Sequence, residues 1–120
     1  LHIGAGPKVL MAYLPDEKIK KLIHASQLAS ATPRTITEPQ ELWDDLMLTR
    51  KRGYSMSIGE KTVGAASLGF PIYNRFNEVI AGINISGHDS HFQGDNLKRF
   101  ISLGQEASRA ISKRLLAKVA

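Results

Sequence analysis

The chain has 120 residues, 42% of them hydrophobic and 22% charged, which fits one globular domain and excludes both two independent domains and a disordered polar chain. Its 16 Lys and Arg against 11 Asp and Glu give a net charge of +5, and the absence of cysteine excludes a disulfide framework, a thiolate zinc site and a cysteine nucleophile. No apolar stretch approaches the roughly 20 residues of a membrane span, and the N-terminus lacks the sections of a signal peptide, so a soluble, cytoplasmic protein without a membrane partner is expected.

Gly4-Ala5-Gly6-Pro7 is a cluster of breakers, and Pro7 at the first helical position followed by Lys8-Val9-Leu10-Met11-Ala12-Tyr13-Leu14 predicts a first helix. Pro15-Asp16-Glu17 opens a second, in which Ile19, Leu22 and Ile23 are spaced to bury one stripe. A polar connector from Ser26 to Thr37 follows. With Thr37 as N-cap, Glu38 and Pro39 start a third helix carrying Leu42, Leu46 and Thr49/Arg50 on successive turns, and Gly53 is placed to end it in a left-handed cap.

From Gly53 the period changes. Tyr54-Ser55-Met56-Ser57-Ile58 alternates large apolar with small polar residues, the pattern of a half-buried strand. Gly59 to Gly64 forms a charged connector. Ala65 to Tyr73 and Glu78 to Ser86 are strand-like runs separated by the hairpin-sized loop Asn74-Arg75-Phe76-Asn77. In the second run Val79, Ala81, Ile83 and Ile85 are expected on one face, and Asn84 and Ser86 share the other. After a loop from Gly87 to Gly94, Asp95 caps a long last helix whose Leu97, Phe100, Ile101, Gly104, Ala107, Ser108, Ile111 and Leu115 trace one stripe. This order predicts an α+β domain with an antiparallel sheet flanked by helices, although three strands make a thin sheet for so many helices.

The basic residues fall in three groups, Lys18/Lys20/Lys21, Arg50/Lys51/Arg52 and Lys113/Arg114/Lys118, each on or at the end of a predicted helix. No aromatic residues are interleaved with them to stack on bases, so they read as solvated faces rather than a nucleic-acid surface. Catalytic constellations are absent: no nucleophile elbow surrounds Ser67 or Ser86, so no enzyme is expected. His88-Asp89-Ser90-His91 lacks the helical pair spacing and the further carboxylate of a metal centre and reads as a solvated loop, with no metal or cofactor predicted. His24 reads as a partner of a helix C-terminus, and Trp43 as structural.

Two features remain for a ligand. Small residues at Gly4-Ala5-Gly6 permit close approach to the first turn of a helix, where unpaired N–H groups favour a carboxylate. Ser57, Ser67, Asn84 and Ser86 stand in strands where β-branched or aromatic residues are favoured, and such polar groups need partners when buried.

Five motifs in order, namely Leu1-His2 with Lys8 and Leu10-Met11-Ala12-Tyr13-Leu14, Thr32-Pro33-Arg34-Thr35-Ile36-Thr37, Arg50-Lys51-Arg52-Gly53-Tyr54, Gly69-Phe70-Pro71-Ile72-Tyr73, and Ile83-Asn84-Ile85-Ser86-Gly87, cover nearly the whole chain. Together they resemble the effector-binding domain of the isocitrate-lyase-regulator (IclR) family of bacterial transcription factors. The resemblance implies a GAF-like fold over residues 1–120, with the first strands of the domain and a winged helix-turn-helix lying upstream, so that DNA is contacted only through that upstream domain. It also implies a small-molecule effector, a small organic or aromatic acid, and self-association as a dimer or tetramer. The family's effector positions fall on Ala5, Gly6, Ser57, Ser67, Asn84 and Ser86. The sequence departs from the family pattern at Pro7, where Gly is usual, at Ser57-Ile58-Gly59-Glu60, which replaces a commonly acidic stretch, and at Gly64-Ala65-Ala66-Ser67, which lacks the usual Arg. A rival reading makes the segment chiefly an oligomerisation domain with a vestigial pocket.

Overall fold

Small residues on one side of the sheet and large apolar ones on the other decide how the helices are arranged. A computed structural model describes residues 2–119; Leu1 and the side chain of Lys118, both invoked above, lie outside the described residues. The elements in order are α1 (Ala5–Ala12), α2 (Asp16–Ala25), α3 (Pro39–Arg52), β1 (Ser55–Ile58), β2 (Ala65–Tyr73), β3 (Val79–His88), a 3-10 turn (Asp89–His91) and α4 (Gly94–Val119).

α1 starts two residues earlier than Pro7 predicts. Gly4, at φ 92°, turns the chain into the helix, and Pro7 occupies the third position, where no intrahelical donor is required. α3 is preceded by Glu38 rather than by a capping Thr37, with Pro39 as its first residue and no side-chain cap. Gly53 ends it at φ 85°, its N–H donating to the Thr49 carbonyl at 2.8 Å. The last helix begins at Gly94, which puts Asp95 in the first turn instead of at the cap.

The strands form an antiparallel meander in the order β1-β2-β3. Ser55 pairs with Gly69 and Gly69 with Asn84, while Ser57 pairs with Ser67 and Ser67 with Ser86, so these residues share one face. α1 lies on that face at close range. A Cβ on Gly69 would stand 2.6 Å from the Ala5 carbonyl oxygen, and one on Gly82 2.9 Å from Val9 Cγ1. The opposite face carries Leu68, Phe70, Ile83 and Ile85 and packs against Leu97, Phe100 and Ile101 of α4.

Covering the polar face reverses the burial expected in β1: Ser55 and Ser57 are buried, whereas Met56 and Ile58 are half-buried. β3 runs on through His88, two residues into the predicted loop, because Gly87 and His88 still pair with Ala66 and Ala65. The face assignment of Val79 is corrected. Tyr73 pairs with Val79 but Ile72 with Ala81, so Ile80 is an extra residue and the bulge moves Val79 to the other side from Ala81, Ile83 and Ile85. The stripe of α4 is narrower than predicted: Gly104 and Ser108 are buried, but Ala107 and Ile111 are exposed.

A second core lies among α1, α2 and α3, built from Met11, Ala12, Ile19, Ile23, Leu42 and Leu46. Trp43 packs at its margin under the Lys20 ammonium, 5.5 Å from the ring centroid. Arg50, grouped above with solvated charges, is instead a clasp on the end of α1. Its guanidinium donates to the carbonyls of Ala12 and Leu14, each at 3.0 Å, and to Asp16 at 2.9 Å. Tyr13 meets Tyr73 edge-on at 6.1 Å, and burial first, then the neighbouring Tyr73 phenol, pushes the Tyr13 phenol above its ordinary range.

Gly104 faces the ring of Phe70, which is wholly buried. On a solvent-facing helix position Gly→Ala gains about 1 kcal/mol. Here Gly104→Ala is expected to destabilise by about 1–3 kcal/mol, the cost of overpacking, as measured by urea unfolding; a more stable variant would show that α4 is not seated on Phe70.

Candidate functional site

The serine row built by the strand register is the floor of the site. Ser57, Ser67 and Ser86 stand side by side on adjacent strands, and a cavity of about 150 Å³ lies over them, walled also by Gly4, Lys61 and Thr62. It is open on one side. Ser57 is buried and Ser86 exposed, so the row runs from the interior to the rim.

The N-terminus of α1 forms the adjoining wall. The Ala5 N–H donates to Ser67 Oγ at 3.4 Å, and the Ala5 carbonyl accepts from Ser55 Oγ at 2.5 Å. Ala5 therefore fixes the helix to the sheet at the cavity's edge. With Pro7 lacking a donor and the Ala5 N–H engaged, the Gly6 N–H is the first-turn donor left for other partners. Gly6 sits directly against Asn84, since a Cβ there would stand 2.7 Å from Asn84 Nδ2. All six residues singled out from the sequence thus share one face of the sheet. Ser57, Ser67 and Ser86 line the cavity, Ala5 borders it, and Gly6 and Asn84 form a contact beside it.

What the sequence reading missed is how α1 is held. Lys8 is wholly buried, and its Nζ donates to Asp45 Oδ2 of α3 at 2.8 Å, to Glu60 Oε2 at 2.8 Å and to the Met56 carbonyl at 2.7 Å. Three bonds match the three donors of an ammonium. The second Glu60 oxygen, Oε1, is buried without a protein partner. A lysine inside an otherwise apolar and small helix was the available signal. The Thr-Pro-Arg-Thr connector also has a structural task, because Thr32 Oγ1 donates to the Gly59 carbonyl and Thr35 Oγ1 to the Glu60 carbonyl at 2.6 Å. The β1–β2 loop is thereby fastened from both sides.

Three larger depressions share no lining residue with the serine-row cavity, among them one of about 170 Å³ lined by His2, Met11, Leu22 and Leu42. One of about 560 Å³ is lined by Glu17, Lys20, Lys21 and His24, and one of about 250 Å³ lies beside Trp43. None of the three is lined by more than one hydroxyl side chain, so none offers a convergent polar row like that on the sheet. His88 Nδ1 lies 2.8 Å from Ser90 Oγ and 3.3 Å from Asp89 Oδ1 in an exposed turn. Among the described residues no group of three or more His, Asp or Glu is placed to hold a metal ion, and no helix is long and apolar enough to cross a membrane.

Residues 1–113 match the family model described as the bacterial transcriptional regulator IclR C-terminal domain. The chain belongs to the IclR family. It is 32% identical over 112 residues to the transcriptional repressor IclR of Escherichia coli, covering 93% of this chain and 41% of that protein. It is 31% identical over 115 residues to the regulator KipR of Bacillus subtilis, covering 96% of this chain and 46% of that protein. The crystal structure of the C-terminal domain of E. coli KdgR superposes with a TM-score of 0.88 at 29% identity, covering 95% of this chain and 70% of that one. The α+β fold matches these domains, and the relatives are transcriptional regulators, not enzymes. The chain spans less than half the length of the full-length curated relatives it matches.

In this IclR-family domain Lys8→Met should remove the cation while keeping the volume, leaving the buried Glu60 carboxylate unpaired. The expected loss is about 3–5 kcal/mol, the range for breaking one side of a buried ion pair, read from chemical denaturation. A loss under about 1 kcal/mol, the size of an exposed pair, would contradict the anchoring role.

Proposed function

We propose that the chain is the ligand-sensing domain of a bacterial transcriptional regulator, taking a small organic acid on the α1 side of its sheet and altering operator binding by a DNA-binding domain elsewhere in the protein. The observation that carries this reading is the row of Ser57, Ser67 and Ser86 under a cavity at the N-terminus of α1. Three hydroxyls on one strand register are poor packing for a core but offer directional partners to a polar molecule. The small volume suits a compact ligand. The effector acts by binding one conformational or oligomeric state more tightly than another.

Self-association is a second reading with its own support. β3 is a ten-residue strand paired only with β2 among the described residues, and Ile80 on it is 53% exposed. A long open edge of this kind is a template for a further strand, from a second copy of the chain or from the strands expected upstream. Size-exclusion chromatography with light scattering tests it: a monomer across the micromolar range opposes this role.

Thermal-shift titration with a series of small carboxylic acids tests the sensor. One acid is expected to raise the melting temperature with dose, reaching about 2.7 kcal/mol of stabilisation at a hundred times its Kd. Ser86→Ala should weaken that acid by about 0.5–1.5 kcal/mol through the lost hydrogen bond, while His91→Ala, in the exposed 3-10 turn, should leave it unchanged. Loss in His91→Ala alone would place the ligand elsewhere.

A further inference from the structure

Lys61 is the single ionisable side chain lining the cavity among the described residues. It follows Glu60 directly, yet Glu60 does not neutralise it. The Glu60 carboxylate is buried toward Lys8, and Lys61 itself is exposed and takes part in no ion pair among the described residues. The backbone that carries it is held. Gly59 N–H donates to the Ala65 carbonyl at 2.8 Å, Ala65 N–H to the Thr62 carbonyl at 3.1 Å, and Asp89 N–H to the Gly64 carbonyl at 2.9 Å. With the threonine hydroxyls on the Gly59 and Glu60 carbonyls, the loop presents Lys61 from a fixed base beside the serine row. The residues that line the cavity therefore include one lysine, several with neutral hydroxyls and none with a carboxylate. A cleft lined by one sign of charge concentrates ions of the other, and the engagement of the Ala5 N–H by Ser67 removes one donor from the competing helix terminus.

We propose that Lys61 is the specificity-determining residue of the cavity, its ammonium binding the carboxylate of a small monoanionic acid while Ser57, Ser67 and Ser86 hold the polar remainder. One cation compensates one carboxylate, and a second negative charge over the hydroxyls would be desolvated without a counter-ion. This inference rests on the ligand-sensing reading above and adds to it the group that recognises charge.

The experiment uses acetate, propionate, pyruvate and lactate as probes, each beside its neutral amide, in ¹H–¹⁵N NMR titrations of the chain. The amide signals of Ser57, Ser67, Ser86 and Gly87 report the site. In the wild type at least one acid is expected to move them, with affinity falling as salt is raised. Lys61→Met should weaken that acid roughly tenfold, the scale of one charge-assisted hydrogen bond, and Lys61→Arg should restore most of it. The matching amide should bind both forms alike. Because Lys61 is exposed, both variants are expected to fold, which their spectra report directly. Equal binding of the acid by wild type and Lys61→Met overturns the role of Lys61 while leaving the serine-row site standing. If no probe moves those four signals, the site reading fails and this proposal fails with it.

Discussion

A single ammonium group fixes the arrangement on which the site depends. Lys8 Nζ joins α1 to α3 through Asp45, to β1 through the Met56 carbonyl and to the β1–β2 loop through Glu60. Burying an ion costs several kcal/mol, and the attraction offsets that cost only when geometry is good and every donor is used. Here all three donors are used at 2.7–2.8 Å. The arrangement stabilises less by strength than by being demanding: α1 cannot slide along the sheet by one residue without leaving a buried charge unpaired. The position of the Ala5 backbone over Ser55 and Ser67 follows from that constraint.

Close approach of a helix to a sheet requires small residues on both. Gly69 and Gly82 make room for Ala5 and Val9, and Gly6 makes room for Asn84. The same smallness leaves space at the end of α1 where no side chain fills it, and the serine row opens there. Packing and recognition are therefore two consequences of one compositional choice on this face. The other face, with Leu68, Phe70 and the rings of Phe92 and Phe100, is built for burial alone.

Elements whose signals are local were legible in the sequence. The boundaries of β2 fall where the apolar run and its flanking turn residues put them, and Gly53 ends α3 in the left-handed conformation that glycine adopts at little cost. Ser57, Ser67 and Ser86 stood out as small polar residues in strand-like runs and as positions the family resemblance points to, and the strand register sets them in one row. What could not be read depends on contacts between distant segments. The burial of Lys8 requires Asp45 and Glu60, which are 37 and 52 residues away. The clasp by Arg50 and the threonine bonds to the β1–β2 loop span 25 residues or more. The bulge at Ile80 left no mark in the alternation, so Val79 was assigned to the wrong face.

A ligand over the serine row can act at a distance only through elements that both contact it and hold other parts of the molecule. The β1–β2 loop is such an element. Lys61 and Thr62 line the cavity, while the preceding Glu60 contributes its carboxylate to Lys8 and its carbonyl to Thr35. Any displacement of Lys61 toward the row is passed through one peptide bond to the group that anchors α1 and to the connector between α2 and α3. The buried Glu60 Oε1 has no protein partner to hold it, whereas Oε2 is bonded at 2.8 Å. The side-chain hydrogen bond that holds this carboxylate to the rest of the protein is therefore the one from Lys8. A ligand that binds this loop more tightly in one position than in another would be coupled to the helical layer through Glu60, with a size set by that difference in affinity.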